Sequence, residues 1–290
     1  ELSGEGRMAD FLCGFAEEHG IRARRVEPVA GRPSVILELP AENGDPKAPL
    51  LACFAHTDTV WIPEMPEPFR VTRGEDGSFR GLGVTDDKGS LAAALLAITE
   101  LKRRGGTQCR FAVACTSDEE SGFLGVESIL PEILSPDAAI VMEGTCLDIV
   151  TAHKGTVRWK ITTRGVSVHS SLVPEGENAI YKAARIVLAL EELGKELIGR
   201  PQHKRLRFPT LSVGTIHGGT QPNSVPDRCE IMIDRRLLPT EHVSEAEAEI
   251  RRALEGVADF ELSEPTLYSA AFEIDEEAPF VREMLEEARR

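Results

Sequence analysis

The chain has 290 residues, 41% of them hydrophobic, and a formal net charge of −15. That is enough for a large core and for two domains. The acidic balance argues against nucleic acid or an anionic membrane as partner, and no apolar run reaches the ~20 residues a membrane helix needs.

The first predicted element is a helix in "GRMADFLCGFAEEHG", where apolar residues recur at helical spacing up to Gly20. "SVILELP" predicts a strand and "PLLACFA" a second, more buried one. "KGSLAAALLAITELKRRGG" predicts a helix with basic residues in its last turn and glycines at its stop. "RFAVACTS" and "AAIVMEG" predict two more strands. Helices alternating with strands that are apolar on both faces predict an α/β domain with a mostly parallel sheet.

The pattern changes near residue 156. "TVRWKITTRG" alternates as a strand and "NAIYKAARIVLALEELGKEL" is an amphipathic helix. "PTLSVGTIHGG" and "RCEIMIDRRLLP" are strands, "SEAEAEIRRALEGV" a helix and "DFELSEPTLY" a last strand. The order β-α-β-β-α-β predicts a ferredoxin-like domain over 156–270. It is inserted into a first domain of residues 1–155, to which the helix from about 276 returns the chain (271–290). The sequence begins at Glu1 and stops within "MLEEARR", a helical pattern, so both ends read as cut. Cys13, Cys53, Cys109, Cys115, Cys146 and Cys229 form no C-x-x-C pair and read as reduced, buried thiols of a cytoplasmic protein.

Polar residues gather where the apolar strands end. His56 and Asp58 follow one strand, Asp118, Glu119 and Glu120 follow another, and Glu143 follows a third. Asp86 and Asp87 stand just before the long helix. Each has a plain alternative: a polar strand exit, an N-cap, a solvated turn. Together they place a histidine and several acids along the strand-end edge where open α/β sheets bind ligands. So many carboxylates repel and take up protons unless cations sit among them, which points to divalent metal.

"HTDTV", "GLGVTDDKG", "TSDEESG", "MEGT", "GVSVHSS", "EGENAI", "HGGTQPNSVP" and "DRRLLP" together resemble one family. It is the dinuclear zinc amidohydrolases and peptidases, which include acetylornithine deacetylase, succinyl-diaminopimelate desuccinylase, aminoacylase and glutamate carboxypeptidase. "AHKG" with "PTLSVGTIHGG" is most similar to the acetylornithine deacetylases. The resemblance implies that His56 and Glu143 hold a first metal, Asp86 bridges, and Glu120 holds a second. The metals would be zinc, with cobalt or manganese as alternatives. It implies that Asp58 orients His56 and that Glu119 is the general base. His169 would polarise the scissile carbonyl in a partner subunit's site. Arg236 would clamp a substrate carboxylate and Asn223 would bind substrate. A cis peptide would join Asp86 and Asp87.

On spacing alone, His169 reads as a loop histidine, while a strand-end arginine and a turn asparagine are the plain alternatives for Arg236 and Asn223. His153 and His217 read as structural, and His19, His203 and His242 as surface. The family takes a last ligand to the second metal, a histidine, from its C-terminal part, and no histidine here matches it. The expected activity is deacylation of N-acyl amino acids by metal-activated water, in a homodimer paired through the inserted lid. A metallopeptidase acting on small peptides is the alternative within the scaffold, and a non-catalytic metal- or partner-binding relative the alternative outside it.

Overall fold

The computed structural model describes residues 4–60, 62, 64–133 and 135–289. The chain divides into two units, Glu1–Asp148 and Ile149–Arg290.

The first unit runs α1 (Gly6–Glu18), β1 (Arg22–Val26), β2 (Ser34–Leu39), β3 (Leu50–His56), a small hairpin β4 (Thr72–Arg73) and β5 (Phe79–Arg80), α2 (Lys88–Arg103), β6 (Arg110–Thr116), α3 (Leu124–Ile133) and β7 (Ala138–Val141). Its sheet has the order β1-β2-β6-β3-β7. The expected parallel pairing is found in β6–β3–β7, where α2 and α3 make the crossovers. β1–β2 and β2–β6 are antiparallel, so the sheet as a whole is mixed. The connection 27–33 is too short for a crossover helix, so β1 must turn straight back on β2. β1 reads "RARRV", and three arginines hid it from hydrophobic periodicity while suiting it to a guarded sheet edge.

The central strands are buried on both faces. Val35, Leu37, Cys53, Val113 and Cys115 pack under Leu12 of α1 and Leu91 and Ile98 of α2. Ile36, Ala52, Ala112 and Ala114 pack on the opposite face against Ile129 and Ile133 of α3. Burial raises the Cys53 thiol to about 11, so it packs as an inert apolar group. All six cysteines are free, but only Cys53, Cys115 and Cys229 are buried as expected; Cys13 and Cys109 are half-buried and Cys146 is exposed.

The second unit runs β8 (Ala152–His153), β9 (Gly155–Arg164), a 3₁₀ turn (Ser170–Glu175), α4 (Ala179–Ile198), β10 (Thr210–Gly218), β11 (Arg228–Leu237), α5 (Val243–Ala253), β12 (Glu261–Leu262), β13 (Leu267–Ser269), β14 (Phe272–Glu273) and α6 (Pro279–Ala288). The sheet order β10-β11-β9-β12, antiparallel throughout, is the expected ferredoxin-like arrangement. Trp159, Ile161, Ile231 and Ile233 of the sheet bury against Ile186, Leu190 and Leu197 of α4 and Ile250 of α5.

"DFELSEPTLY" is not one strand. It forms β12 and β13, which pair with β9 on either side of a break at 263–266. Pro265 lies in that break and has no N–H to give a ladder. His203, expected at the surface, is tied in: its Nδ1 accepts from the N–H groups of Arg205 (3.3 Å) and Leu206 (3.2 Å), and its Nε2 lies 3.3 Å from Glu273. Among the described residues no helix is long and apolar enough to cross a membrane.

Candidate metal centre

β3, β6 and β7 are parallel, so their C-terminal ends share one edge: His56 is level with Thr116, and Phe54 with Val141. The residues that follow each strand therefore meet. His56 is 2% exposed. Its Nε2 lies 2.7 Å from Asp86 Oδ1 and its Nδ1 lies 3.4 Å from Asp58 Oδ1. Its backbone N–H donates to Asp87 Oδ2 at 3.1 Å. The Asp86–Asp87 peptide bond is cis.

Two sets of donor atoms come together, each with all its atoms within 4.8 Å: His56, Asp86 and Glu120, and His56, Asp87 and Glu143. The four expected ligands are all present in these sets, but His56 is common to both, and Asp86, the expected bridge, is in the Glu120 set alone. The structure adds Asp87, fully buried, as the acid beside His56 and Glu143. The sequence placed Asp87 at this edge, but the resemblance gave a ligand role to Asp86 alone, since how the backbone turns between adjacent residues is not written in the motif.

The loop that carries Glu119 and Glu120 is held from both sides. Asp58 accepts from the N–H of Glu119 (3.1 Å, Oδ1) and of Glu120 (3.0 Å, Oδ2). Asp58 thus ties the end of β3 to the end of β6, a contact its position two residues after His56 did not reveal. Behind the loop, Asp118 is 4% exposed with φ +62°. It is ion-paired with Arg32, and its N–H donates to Glu5 Oε1 at 3.3 Å. Arg32 Nε lies 3.3 Å from Glu5 Oε2. Gly125 closes the same turn against Ser117 so tightly that a Cβ would overlap the Ser117 backbone.

The electrostatics are those of a site short of positive charge. Burial alone would lower His56, but Asp58 and Asp86, with Glu119 behind them, raise it to about 10. Loss of water and then Asp87, Asp86 and Glu119 raise Glu143 to about 7 against the pull of His56. Burial first, and neighbouring acids second, also raise Glu119 and Glu120. Burial would raise Asp58 too, but His56 and the two backbone N–H groups hold it below its ordinary value. Asp87 Oδ1 and Glu120 Oε1 are buried without a hydrogen-bond partner among the described residues, while His56 Nδ1 faces Asp58. An imidazole and carboxylates whose donor atoms converge within 4.8 Å, with buried carboxylate oxygens of Asp87 and Glu120 left without a partner, fit a transition-metal ion.

The remaining candidates lie in the second unit. His169 caps the 3₁₀ turn, its Nδ1 accepting from the Ser171 N–H at 3.2 Å. Asn223 stands beside it, its carbonyl accepting from the Ser170 N–H at 3.0 Å. Arg236 is at the other end of the sheet. The strand from 228 to 236 spans about 26 Å at ~3.3 Å per residue. Arg236 is also partly engaged: Nε and Nη2 donate to Asp234 (2.7 and 3.4 Å) and Nη1 to Thr156 Oγ1 (2.6 Å). Neighbouring Arg235, by the strand's alternation, points into the core and pairs with Glu241 at 2.7 Å.

An α/β unit with an imidazole and paired acids at its strand ends, together with a ferredoxin-like unit, defines a metal-dependent hydrolase of the two-unit kind. The chain belongs to the M20 family of such hydrolases. The peptidase dimerisation domain of that family matches residues 151–259. Acetylornithine deacetylase of Aliivibrio fischeri (strain MJ11) is 31% identical over 260 residues, which is 88% of this chain and 67% of that protein. The enzyme of that name from Pectobacterium carotovorum (strain PC1) is 32% identical over 258 residues, 87% of this chain and 66% of that protein. That from Pasteurella multocida (strain Pm70) is 32% identical over 238 residues, 80% of this chain and 61% of that protein. The chain thus spans about two thirds of the length of these relatives, and somewhat less of some.

Among solved structures, an M20 family metallo-carboxypeptidase from Sulfolobus solfataricus shares the fold with a TM-score of 0.77 at 21% identity, covering 98% of this chain and 78% of that one. A tripeptidase from Staphylococcus aureus has a TM-score of 0.75 at 21% identity, covering 100% and 77%. A dinuclear metal-binding peptidase of the family from Bacillus subtilis has a TM-score of 0.68 at 16% identity, covering 99% and 74%.

Proposed function

We propose that the protein is a metal-dependent amidohydrolase that removes the acyl group from N-acyl amino acids. The observation that carries this reading is the metal-fitting cluster with Glu119 beside it, in a chain whose relatives include acetylornithine deacetylases. His56, Asp86, Asp87, Glu120 and Glu143 would hold two zinc ions, with cobalt or manganese as substitutes, and the Glu120 site would lack the histidine that the family takes from its C-terminal part. When bound, such ions polarise the amide carbonyl and lower the pKa of water towards ~7.

The chain's own groups do the rest. Glu119, raised by burial, takes a proton from the attacking water and passes it to the leaving amine. Asp58 fixes the loop bearing Glu119 and faces His56 Nδ1. Arg236, with two of a guanidinium's five N–H donors uncommitted, binds a substrate carboxylate. Asn223 contacts substrate and His169 hydrogen-bonds the scissile carbonyl. His169 and Arg236 lie at opposite ends of one sheet, which supports a homodimer in which each subunit lends His169 to its partner's site.

β14 pairs with β8, with Ile274 N–H donating to the Thr151 carbonyl at 2.9 Å. Entry and exit strands side by side support reading 156–270 as an inserted lid. Small peptides present the same amide and carboxylate and are the second substrate class.

The test is a hydrolysis screen with added zinc or cobalt across acetylornithine, other N-acyl amino acids and dipeptides. Release of free amino acid from the N-acyl compounds is the expected result. Preference for dipeptides would turn the assignment to a peptidase. Metal binding with no turnover on any of them would leave only the non-catalytic reading.

A further inference from the structure

The Arg236 end of the second sheet holds more positive charge than one carboxylate clamp requires. Arg236 pairs in register with Thr210 of β10 on one side and Thr156 of β9 on the other. Lys154 lies just before β9 and Arg207 just before β10. Three adjacent strands therefore deliver Lys154, Arg207 and Arg236 to one sheet end.

The arrangement is built rather than incidental. Lys154 Nζ is 5.6 Å, and Arg207 Cζ 5.3 Å, from the centroid of the same Phe208 ring. The loop that presents Arg207 is closed by backbone bonds between His203 and Arg207 (2.5 and 3.0 Å). It is anchored by Arg205 to Thr151 (3.0 Å) and Glu276 (2.6 Å). Arg207 itself is exposed and held at φ +63°.

The nearby acids are already committed. Asp234 is shared by Arg236 and Arg158, and Glu241 by Arg235 and Arg200. Neither Lys154 nor Arg207 has a carboxylate partner among the described residues. Burial, and then the charges of Arg207, Arg236 and Arg235, lower Lys154 below its ordinary value. Two unneutralised cations on one aromatic ring, beside a third with spare donors, are an unmet demand for negative charge in a protein of net charge −15.

We propose that Lys154 and Arg207, together with Arg236, form a recognition site for a small dicarboxylate, so that the preferred substrates are N-acyl derivatives of acidic amino acids. One carboxylate goes to the free donors of Arg236. The second goes between Lys154 and Arg207, with the Phe208 ring against the intervening methylenes. The inference rests on the proposed amidohydrolase reading for its substrate, but not for the anion site itself.

Two measurements separate the two. Calorimetric titration of the whole protein with glutarate, butyrate and inorganic phosphate reads the site without turnover. Glutarate should bind more tightly than butyrate, and Lys154→Met with Arg207→Gln should weaken it by about tenfold or more. Hydrolysis of N-acetyl-glutamate against N-acetyl-alanine reads the specificity, and the ratio of kcat/KM should favour the acidic substrate and fall about tenfold in the double variant. Equal binding of glutarate and butyrate, or a glutarate affinity unchanged in a folded double variant, would overturn the site. Phosphate bound in place of glutarate would overturn the dicarboxylate assignment. Glutarate binding without hydrolysis of any N-acyl compound would leave the site standing and remove the amidohydrolase reading.

Discussion

Glu119 and Glu120 are adjacent, both raised by burial and neighbouring charge, yet they have different surroundings. Glu120 belongs to a donor set with His56 and Asp86, and Glu119 belongs to neither set. That separation makes Glu119→Gln the sharpest residue-scale test. The amide keeps shape and removes the base, so kcat should drop roughly 10²–10⁴-fold with metal content unchanged. A near-normal kcat with full metal would remove Glu119 from its role. pH provides a second test. His56 sits at about 10 in the metal-free fold against 6.5 for the free group, so its proton stabilises the fold fully below 6.5. That contribution disappears as pH rises through about 10. Glu143 at about 7, against 4.5, binds a proton in the fold that the unfolded chain has already lost, so its contribution falls away between those values. Metal must displace both protons, so the zinc-induced rise in Tm should be larger at pH 8 than at pH 6. A larger rise at pH 6, measured by calorimetry in matched buffers, would contradict the assignment of these ligands.

At the scale of elements, the Glu119 loop depends on a buried ionic group. The side chains of Glu5 and Asp118 are 7% and 6% exposed, and Arg32 is the cation between them. Removing that cation strands two carboxylates. Arg32→Met should therefore destabilise the protein by about 3 kcal/mol. It should also weaken metal binding at the Glu120 set, because Asp118 carries the turn from which Glu120 projects. Chemical denaturation and metal titration check the two effects, and a loss under about 1 kcal/mol would mean the loop is held by Asp58 alone. Little of this was legible beforehand. Arg32 lies in a loop far along the chain from Asp118, and no local pattern joins them. α3 also escaped prediction, since Pro131 interrupts its pattern.

For the whole molecule, the dimerisation-domain match and the two-ended placement of His169 and Arg236 set one expectation. The second unit leaves Leu188 of α4 61% exposed and Ile216 of β10 46% exposed, with β10 at the sheet edge. If a partner covers them, Leu188→Glu with Ile216→Glu should yield a folded monomer of much reduced turnover, read by sedimentation and circular dichroism. A wild-type protein that is monomeric at micromolar concentration and fully active would end the shared-site reading. The sequence alone determined most of the α/β and ferredoxin-like elements, β1 and α3 excepted, and the acids at the strand ends, because side-chain periodicity and strand termini are local properties. Only the tertiary structure decided that Asp87 joins His56 and Glu143, that Asp58 ties the β3 and β6 ends together, and that β1 and β2 run antiparallel. It alone set His169 and Asn223 across the sheet from Arg236 and brought Lys154 and Arg207 to Phe208. Those outcomes follow from strand order, register and loop closure, which fix which distant residues share an end of a sheet and which no stretch of sequence carries within itself.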